Sequence, residues 1–203
     1  MEAFLQAVVA LLAIANPIGA APIFLGIVQG LDPAQKRAEA IRASLYVFAI
    51  LAVAAIVGQS LLSLFGISLS AFRAAGGLVI VLMGLEMLHG NATVVQHEPN
   101  RFSDADDEIL VPFAMPIVAG PGAITTVITL AVTDRTEHLP LVALAGSASL
   151  AVLLWLTLRV IVSNEHLMGV RGQRILTRFM GLILVAIGFQ LGLDGVRDFF
   201  GVK

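Results

Sequence analysis

Residues 17–22 read Pro-Ile-Gly-Ala-Ala-Pro and residues 116–121 read Pro-Ile-Val-Ala-Gly-Pro, so the pattern Pro-Ile-x-Ala-x-Pro occurs twice, each time inside a long apolar stretch. Proline has no amide hydrogen and its ring clashes with the preceding turn, so neither stretch is expected to form one regular helix. Inside a bilayer, an interrupted helix is tolerated only where its backbone is buried in protein or lines a wet cavity. The two patterns therefore predict a pair of broken helices with a binding site between them.

Composition places the chain in a membrane. Hydrophobic residues make up 58% of the 203 residues, charged residues make up 13%, and the mean hydropathy is +0.95. A soluble domain of this size does not carry so much apolar surface. The formal net charge of -2 provides no basic surface for nucleic acid, which is not expected as a partner.

The sequence gives little support to an enzyme or a cofactor. The chain has no cysteine, which excludes thiolate metal sites and cysteine nucleophiles. Nucleophile elbows, phosphate-binding loops and paired carboxylates at mid-span are also missing. We therefore expect no catalytic residue, no metal and no cofactor.

Six apolar stretches reach the length of about 20 residues that crosses a bilayer core. They cover residues 3–28, 41–65, 69–88, 109–132, 139–162 and 175–200. The segments between them are predicted to be loops, including the polar and basic segment 30–40, the acidic linker 91–108 and the segment 163–174. The chain is thus predicted to be one membrane domain over residues 1–203.

A second correspondence indicates an internal repeat. Segment 77–86, GLVIVLMGLE, aligns with segment 181–190, GLILVAIGFQ, and both contain two glycines with the same spacing. Small residues of this kind allow close approach of membrane helices. Three spans per half force the halves, residues 1–90 and 109–203, into opposite orientations. The predicted fold class is an all-α, six-span, 3+3 inverted-topology repeat with broken helices in spans one and four.

Lysine and arginine predict the orientation. Of the 12 such residues, eight fall on the first, third and fifth loops, and basic loops stay cytoplasmic. Both termini are therefore predicted to be extracytoplasmic, and Arg73 is interpreted as an interface anchor. The eight are Lys36, Arg37, Arg42, Arg101, Arg159, Arg171, Arg174 and Arg178, and the other four are Arg73, Arg135, Arg197 and Lys203.

Four segments together resemble a known family. These are ANPIG at 15–19, PFAMP at 112–116, AGPGAIT at 119–125, and RFMGLIL at 178–184 followed by Gln190. They are similar to the MarC/SnatA family of small integral membrane proteins, which is related more distantly to LysE-type amino-acid exporters. The resemblance covers nearly the whole chain. It implies a six-span protein of the inner membrane and, from members with an assigned function, transport of small neutral amino acids such as glycine, alanine, serine or threonine.

A zwitterionic substrate brings a carboxylate and an ammonium into a site of low dielectric constant, where both need partners. Free amides at the start of a half-helix suit the carboxylate, while unwound carbonyls suit the ammonium or a coupling cation. We therefore predict a site at the two breaks. Its substrate-binding residues are Asn16, Pro17 and Gly19 on the first break, and Met115, Gly120, Pro121, Gly122, Thr125 and Thr126 on the second.

Several alternatives stay open at this point. The paired breaks could serve only to kink helices, Asn16 could cap the second half-helix, and one of the two threonines could bond back to its own helix. Glu86, taken as the only acid well inside a span, could couple transport to H⁺ or Na⁺ or could pair with Arg178.

Two other functions fit the same architecture. One is an efflux carrier or channel for another small solute, and the other is a non-transporting scaffold or sensor. The expected partners are the lipid bilayer and the substrate. The glycine-lined helices would also permit a homo-oligomer.

Overall fold

The computed structural model describes residues 2–89, 118–133, 140–163 and 170–201. They form α1 (Glu2–Ala15), α2 (Pro17–Ile27), α3 (Pro33–Leu64), α4 (Leu69–His89), α5 (Pro121–Thr133), α6 (Leu141–Ser163) and α7 (Val170–Phe200). No strand occurs in these ranges, which confirms the all-α prediction. The predicted linker 91–108 lies outside the described residues.

Four described helices are long and apolar enough to cross a membrane: α3, α4, α6 and the part of α7 from Ile175 onward. Helices α1 and α2 make a fifth span if they are taken together, with a bend of 42° at their junction. Helix α5 is apolar but has only 13 residues, because it begins at Pro121, after the non-α-helical residues 118–120. Residues 109–117 of the predicted span 109–132 lie outside the described residues. The count of six spans therefore stays a prediction.

Two predicted loops turn out to be helical in part. Helix α3 begins at Pro33, inside the segment 30–40 predicted as a loop. The Asp32 carboxylate accepts hydrogen bonds from the amides of Ala34 and Gln35 at 2.8 and 2.9 Å, and the Gln35 side chain accepts one from the Asp32 amide at 3.0 Å. This capping box starts the helix two turns before the apolar stretch. Helix α7 likewise begins at Val170, inside the predicted loop 163–174. Both predictions are wrong because hydropathy marks the end of an apolar run, not the end of a helix.

Helices α4 and α7 pack backbone to backbone. A Cβ atom on Gly84 would lie 2.7 Å from the carbonyl oxygen of Gly181, and one on Gly188 would lie 2.7 Å from the carbonyl oxygen of Gly77. No side chain fits at either position. Because Gly77 lies against Gly188 and Gly84 against Gly181, the two helices run antiparallel. We call this contact the glycine seam.

The buried faces of α3 and α6 correspond with one constant offset. The hydroxyl of Ser44 donates to the carbonyl of Ala40 at 2.8 Å, and that of Ser147 donates to the carbonyl of Ala143 at 2.7 Å. Both serines are buried, and they lie 103 positions apart. The same offset carries the buried α3 positions 40, 43, 44, 47, 51, 55 and 58 onto the buried α6 positions 143, 146, 147, 150, 154, 158 and 161.

A nearly equal offset relates the other helices. Helices α2 and α5 begin at Pro17 and Pro121, 104 positions apart, and Gly77 and Gly181 of the glycine seam are also 104 apart. The two Pro-Ile-x-Ala-x-Pro patterns are only 99 apart. They are therefore not the structurally equivalent segments, because each half-helix starts at a different proline of its pattern. These offsets support an inverted repeat, which stays a prediction because residues 90–117 lie outside the described ranges.

The outward surface is apolar. Large side chains on it are widely exposed, among them Val53, Leu64, Ile175 and Phe200. Water-exposed surfaces of soluble monomers rarely carry extended apolar patches. These faces are consistent with contact to lipid, while the interior packs around Leu11, Phe24, Leu51, Leu150 and Leu154.

Candidate functional site

The first break lies at Asn16, between α1 and α2. Its φ of 40° and ψ of 64° lie in the left-handed region, which asparagine tolerates better than most residues. Its Oδ1 accepts a hydrogen bond from the Gly19 amide at 3.2 Å. Asn16 is thus the N-cap of α2, and Pro17 takes the first helical position, where a missing amide costs little. The capping role that the sequence left open for Asn16 is confirmed. Pro22, by contrast, lies inside α2 and does not break it.

This break deprives the carbonyl groups of Ala13 and Ala15 of their usual donors. In an unbroken helix, the carbonyls of Ala13 and Ala15 would accept from the amides of residues 17 and 19. Pro17 has no amide hydrogen, and the amide of Gly19 donates to Asn16 instead. Ala13 and Ala15 are buried, where an unpaired carbonyl is costly. Their oxygens are therefore candidate ligands for an ammonium group or a cation.

The second break lies immediately before α5. Val118, Ala119 and Gly120 are buried, and the amide of Ile124 donates to the carbonyl of Gly120 at 3.0 Å. Gly120 therefore stands in the capping position of a helix whose first residue is Pro121. The amides of the first turn have no helical acceptors, and the positive end of the helix dipole lies there. A buried helix start of this kind favours an anionic group.

The structure brings the two breaks together. A Cβ atom on Gly122 would lie 2.8 Å from Cγ1 of Ile80 and 3.1 Å from Cγ2 of Ile14. Ile14 precedes Asn16 by two residues, and Gly122 follows Gly120 by two. The end of α1 and the start of α5 thus meet against α4 inside the bundle, and only glycine at position 122 allows this approach.

A cavity of about 390 Å³ lies between α1, α4, α5 and α7, and its lining begins six residues from each break, at Ala10 and at Thr126. Its polar lining comes from Arg73 of α4, Thr126 and Thr129 of α5, and Gln190 and Asp194 of α7. The remaining wall is apolar and is formed by Ala7, Ala10, Leu130, Ile187 and Leu191. A mixed lining of this kind is typical of small-molecule sites, in which a few polar groups orient the ligand.

Two opposite charges line this cavity. Arg73 donates from Nη1 to Oδ2 of Asp198 at 2.7 Å, and its Nε is buried without a hydrogen-bond partner among the described residues. Asp194 accepts from the side-chain amide of Gln190, at 3.0 and 3.1 Å to its two oxygens. A neutral amide fixes the carboxylate in place but does not compensate its charge.

The threonines of α5 have different surroundings. Thr125 is buried against Gly76 of α4, where a Cβ atom would collide with it, and it does not line the cavity. Thr126 lines the cavity, and its hydroxyl donates to the carbonyl of Gly122 at 2.9 Å. Thr129 also lines the cavity, and its hydroxyl is buried with no partner in the described part of the chain.

The predicted site residues fall into separate groups. Six of them form the two breaks, namely Asn16, Pro17, Gly19, Gly120, Pro121 and Gly122, and Thr126 lines the cavity. Met115 lies outside the described residues. Glu86 is half-buried near the opposite end of α4 from Arg73 and does not line this cavity. Its predicted ion pair with Arg178 is not formed in the described ranges.

Sequence reasoning missed four polar lining residues: Arg73, Thr129, Gln190 and Asp194. Arg73 lies near the start of α4 and Asp194 near the end of α7, so only the antiparallel glycine seam brings them to one cavity. The interpretation of Glu86 as the only acid well inside a span overlooked Asp194, which lies six residues before the end of α7. The spacing of Gln190, Asp194 and Asp198 by four residues was the available signal, since it puts all three on one helix face.

Comparisons with known proteins agree with this architecture. The chain matches the MarC family of integral membrane proteins over residues 1–200, a range that includes both breaks and every residue lining the cavity. A UPF0056 membrane protein of Methanocaldococcus jannaschii is 36% identical over 97% of each chain. Another, of Pyrococcus abyssi, is 33% identical over 100% of this chain and 98% of its own. The UPF0056 inner membrane protein MarC of Citrobacter koseri is 34% identical over 94% of this chain and 92% of its own.

No solved structure matches the chain. The assignment therefore stands on the family match over nearly the whole length and on the relatives, and the helical bundle with an apolar exterior is consistent with an integral membrane protein. This chain belongs to the MarC family of integral membrane proteins.

Proposed function

We propose that the protein transports small neutral amino acids, of the glycine, alanine, serine or threonine class, across the inner membrane by alternating access. The observation that carries this proposal is a cavity with a mixed polar and apolar lining, close to two helix breaks, inside a bundle with an apolar exterior. Its volume of about 390 Å³ is near the lower end of the range of roughly 300–1,000 Å³ for small-molecule sites. A small solute with a few waters fits such a space.

The position of the cavity supports a carrier. Its lining comes from the middle of α1, the second turn of α4, the second half of α5 and the stretch of α7 from Ile187 to Asp194. These parts share one end of the bundle, which is the extracytoplasmic end in the predicted orientation. The two breaks lie deeper, where Ile14 meets Gly122. A carrier exposes such a site to one side at a time, and movement of one half against the other would open the opposite end.

Coupling to H⁺ or Na⁺ is part of this proposal. The carbonyls of Ala13 and Ala15 provide oxygen ligands of the kind that a sodium ion takes in discontinuous membrane helices. Glu86 is the candidate for a proton, since an acid within a span is costly to retain without a function. The direction of transport depends on which gradient is used.

Counterflow in proteoliposomes tests the proposal. Vesicles loaded with unlabelled alanine should accumulate radiolabelled alanine transiently, and unlabelled serine, threonine or glycine inside should substitute for it. A channel would equilibrate the label without this overshoot. A scaffold or sensor would behave as protein-free vesicles do.

Two glycine variants make the test specific for the breaks. Gly122→Leu should abolish counterflow, because a Cβ atom there would lie 2.8 Å from Ile80. Gly26→Leu is the matched control, since Gly26 is exposed on α2 and a Cβ atom there would meet nothing within 4 Å. Absence of counterflow with all four amino acids in the wild-type protein would contradict the proposal.

A further inference from the structure

We propose that Arg73 and Asp194 hold the two ends of the zwitterion, with the guanidinium binding the substrate carboxylate and Asp194 binding the ammonium group. This inference rests on the proposed function and names the side chains that recognise its substrate. Both residues line the same cavity, and they come from the opposite partners of the glycine seam.

Arg73 has donor capacity left for a second carboxylate. The guanidinium carries five N–H donors, and Nη1 donates to Asp198. The Nε is buried and has no hydrogen-bond partner among the described residues, and the side chain as a whole is 20% exposed. A carboxylate binds side-on to arginine through Nε and one terminal nitrogen. The substrate carboxylate can therefore bind this edge while Asp198 keeps Nη1, which makes Asp198 a positioning residue.

Asp194 is prepared for a cation. Its two oxygens accept from Gln190, whose amide carries no charge. An ammonium group has three donors and supplies the missing positive charge. A charge-assisted hydrogen bond of this kind is about twice as strong as one between neutral groups. Gln190 fixes the carboxylate, and the ammonium compensates it.

Thr129 gives an independent indication of a ligand. It is 6% exposed, it lines the cavity, and its hydroxyl has no partner within the described ranges. Leaving a buried hydroxyl unpaired is unfavourable. A hydroxyl can donate to a carboxylate or accept from an ammonium, so either end of a bound amino acid would satisfy it.

The rest of the lining suits a short, neutral side chain. Ala7, Ala10, Ile187 and Leu191 offer apolar surface with no charge. An additional carboxylate on the substrate would bring a second negative charge near Asp194 and Asp198. A long basic side chain would leave its charge against the apolar wall. Both are disfavoured, so selectivity for small neutral amino acids follows from the same set of residues.

The test compares three ligands on the purified full-length protein: alanine, alaninamide, which lacks the carboxylate, and propionate, which lacks the ammonium. Binding is measured by the ligand-dependent rise in unfolding temperature. We expect the wild-type protein to bind alanine more tightly than either analogue. Arg73→Gln should weaken alanine binding about tenfold to a hundredfold and leave alaninamide binding unchanged. Asp194→Asn should weaken alanine binding similarly and leave propionate binding unchanged.

Two further variants serve as controls. Arg159→Gln removes an exposed arginine that stacks on Trp155 of α6 at 5.4 Å and does not line the cavity, so it should leave all three affinities unchanged. Arg73→Lys keeps the charge but loses the fork-shaped pair of donors, so it should bind alanine more weakly than wild type and better than Arg73→Gln.

The outcomes separate this inference from the proposed function. Alanine binding that survives both Arg73→Gln and Asp194→Asn would overturn the pair and leave the carrier standing. Equal weakening of alanine and alaninamide by Arg73→Gln would show a structural role for Arg73 and overturn it too. If a variant does not fold, the wild-type comparison still decides, because equal binding of all three ligands would overturn the pair. No response to any neutral amino acid would overturn both proposals.

Discussion

The two helix breaks achieve the same interruption by different means. At the first, Asn16 adopts a left-handed conformation and its own side chain caps α2 at Gly19. At the second, Gly120 has no side chain, so it cannot cap the first turn of α5. The first break thus has a side-chain cap and leaves the carbonyls of Ala13 and Ala15 without their helical donors, while the second break has no side-chain cap from Gly120. The wall of the cavity comes within six residues of each break, at Ala10 and at Thr126. The contrast therefore lies in the cap: the Asn16 side chain supports the structure at the first break, and the second break has no side chain in that role.

Giving the second break a cap should have the largest effect. Gly120→Asn would place at α5 the residue that caps α2, and its side-chain oxygen would compete for the first-turn amides at the breaks, deeper in the bundle than Arg73 and Asp194. We expect the initial rate of alanine counterflow to fall by more than about tenfold, the equivalent of roughly 1.4 kcal/mol of activation free energy. Gly120→Ala adds bulk without an acceptor and should retain more activity than the asparagine variant. Equal losses would assign the effect to bulk and remove the contrast between the breaks.

The sequence predicted the existence of the breaks better than their positions. Prolines mark where a helix cannot continue, but a proline in the first turn is harmless, so Pro17 and Pro121 start helices and Pro22 is accommodated inside α2. The helical extension before the apolar stretch of α3 depends on the capping box at Asp32, a local signal that hydropathy does not register.

The cavity could not be predicted in the same way. Arg73 and Asp194 are more than 100 residues apart in the chain, and each alone resembles a polar residue at a membrane interface. Their proximity depends on the glycine seam, where backbones rather than side chains meet. Thr126 was predicted because it follows the break, whereas Thr129 carries no feature in the sequence that separates it from other threonines of a helix.

A second prediction compares the accessibility of equivalent positions in the two halves. The offset of 104 relates Thr129, which lines the cavity, to Leu25 of α2. The chain has no cysteine, so Thr129→Cys and Leu25→Cys each introduce a single thiol. A membrane-impermeant maleimide added outside should label position 129 faster than position 25, and alanine should slow only the reaction at 129. Faster labelling at 25 would reverse the assignment of the two breaks or the predicted orientation.

Removing the first cap should cost stability and not transport. Asn16→Ala removes the hydrogen bond to the Gly19 amide, and alanine tolerates the left-handed region less well than asparagine. We therefore expect the free energy of unfolding to fall by about 1–2 kcal/mol. In Asn16→Gly, glycine adopts the same φ without strain, so the free energy of unfolding should fall by only about a few tenths of a kcal/mol. Urea or detergent titration of unfolding measures both. Full counterflow in Asn16→Gly would agree with a structural first break, whereas its loss would give Asn16 a direct part in substrate binding.

The smallest expected effect concerns Gly19. A Cβ atom there would collide with the side-chain amide of Asn16, so Gly19→Ala should disrupt the cap and cost about 1 kcal/mol. In the Asn16→Gly background the same change should cost almost nothing, because no cap is left to disturb. A double-mutant cycle on the two positions measures this coupling. An additive result would show that Gly19 is required for another reason.

The symmetry of the glycine seam is consistent with an origin of the chain by gene duplication. Positions 77 and 84 of α4 correspond to 181 and 188 of α7, and in the structure Gly77 meets Gly188 while Gly84 meets Gly181. Each helix thus presents the same patch to the other, as identical subunits do across a two-fold axis. If the predicted inverted repeat holds, a half-length ancestor would have carried this whole patch on one helix. Two copies of it inserted in opposite orientations would then have paired through the patch before gene duplication and fusion joined them.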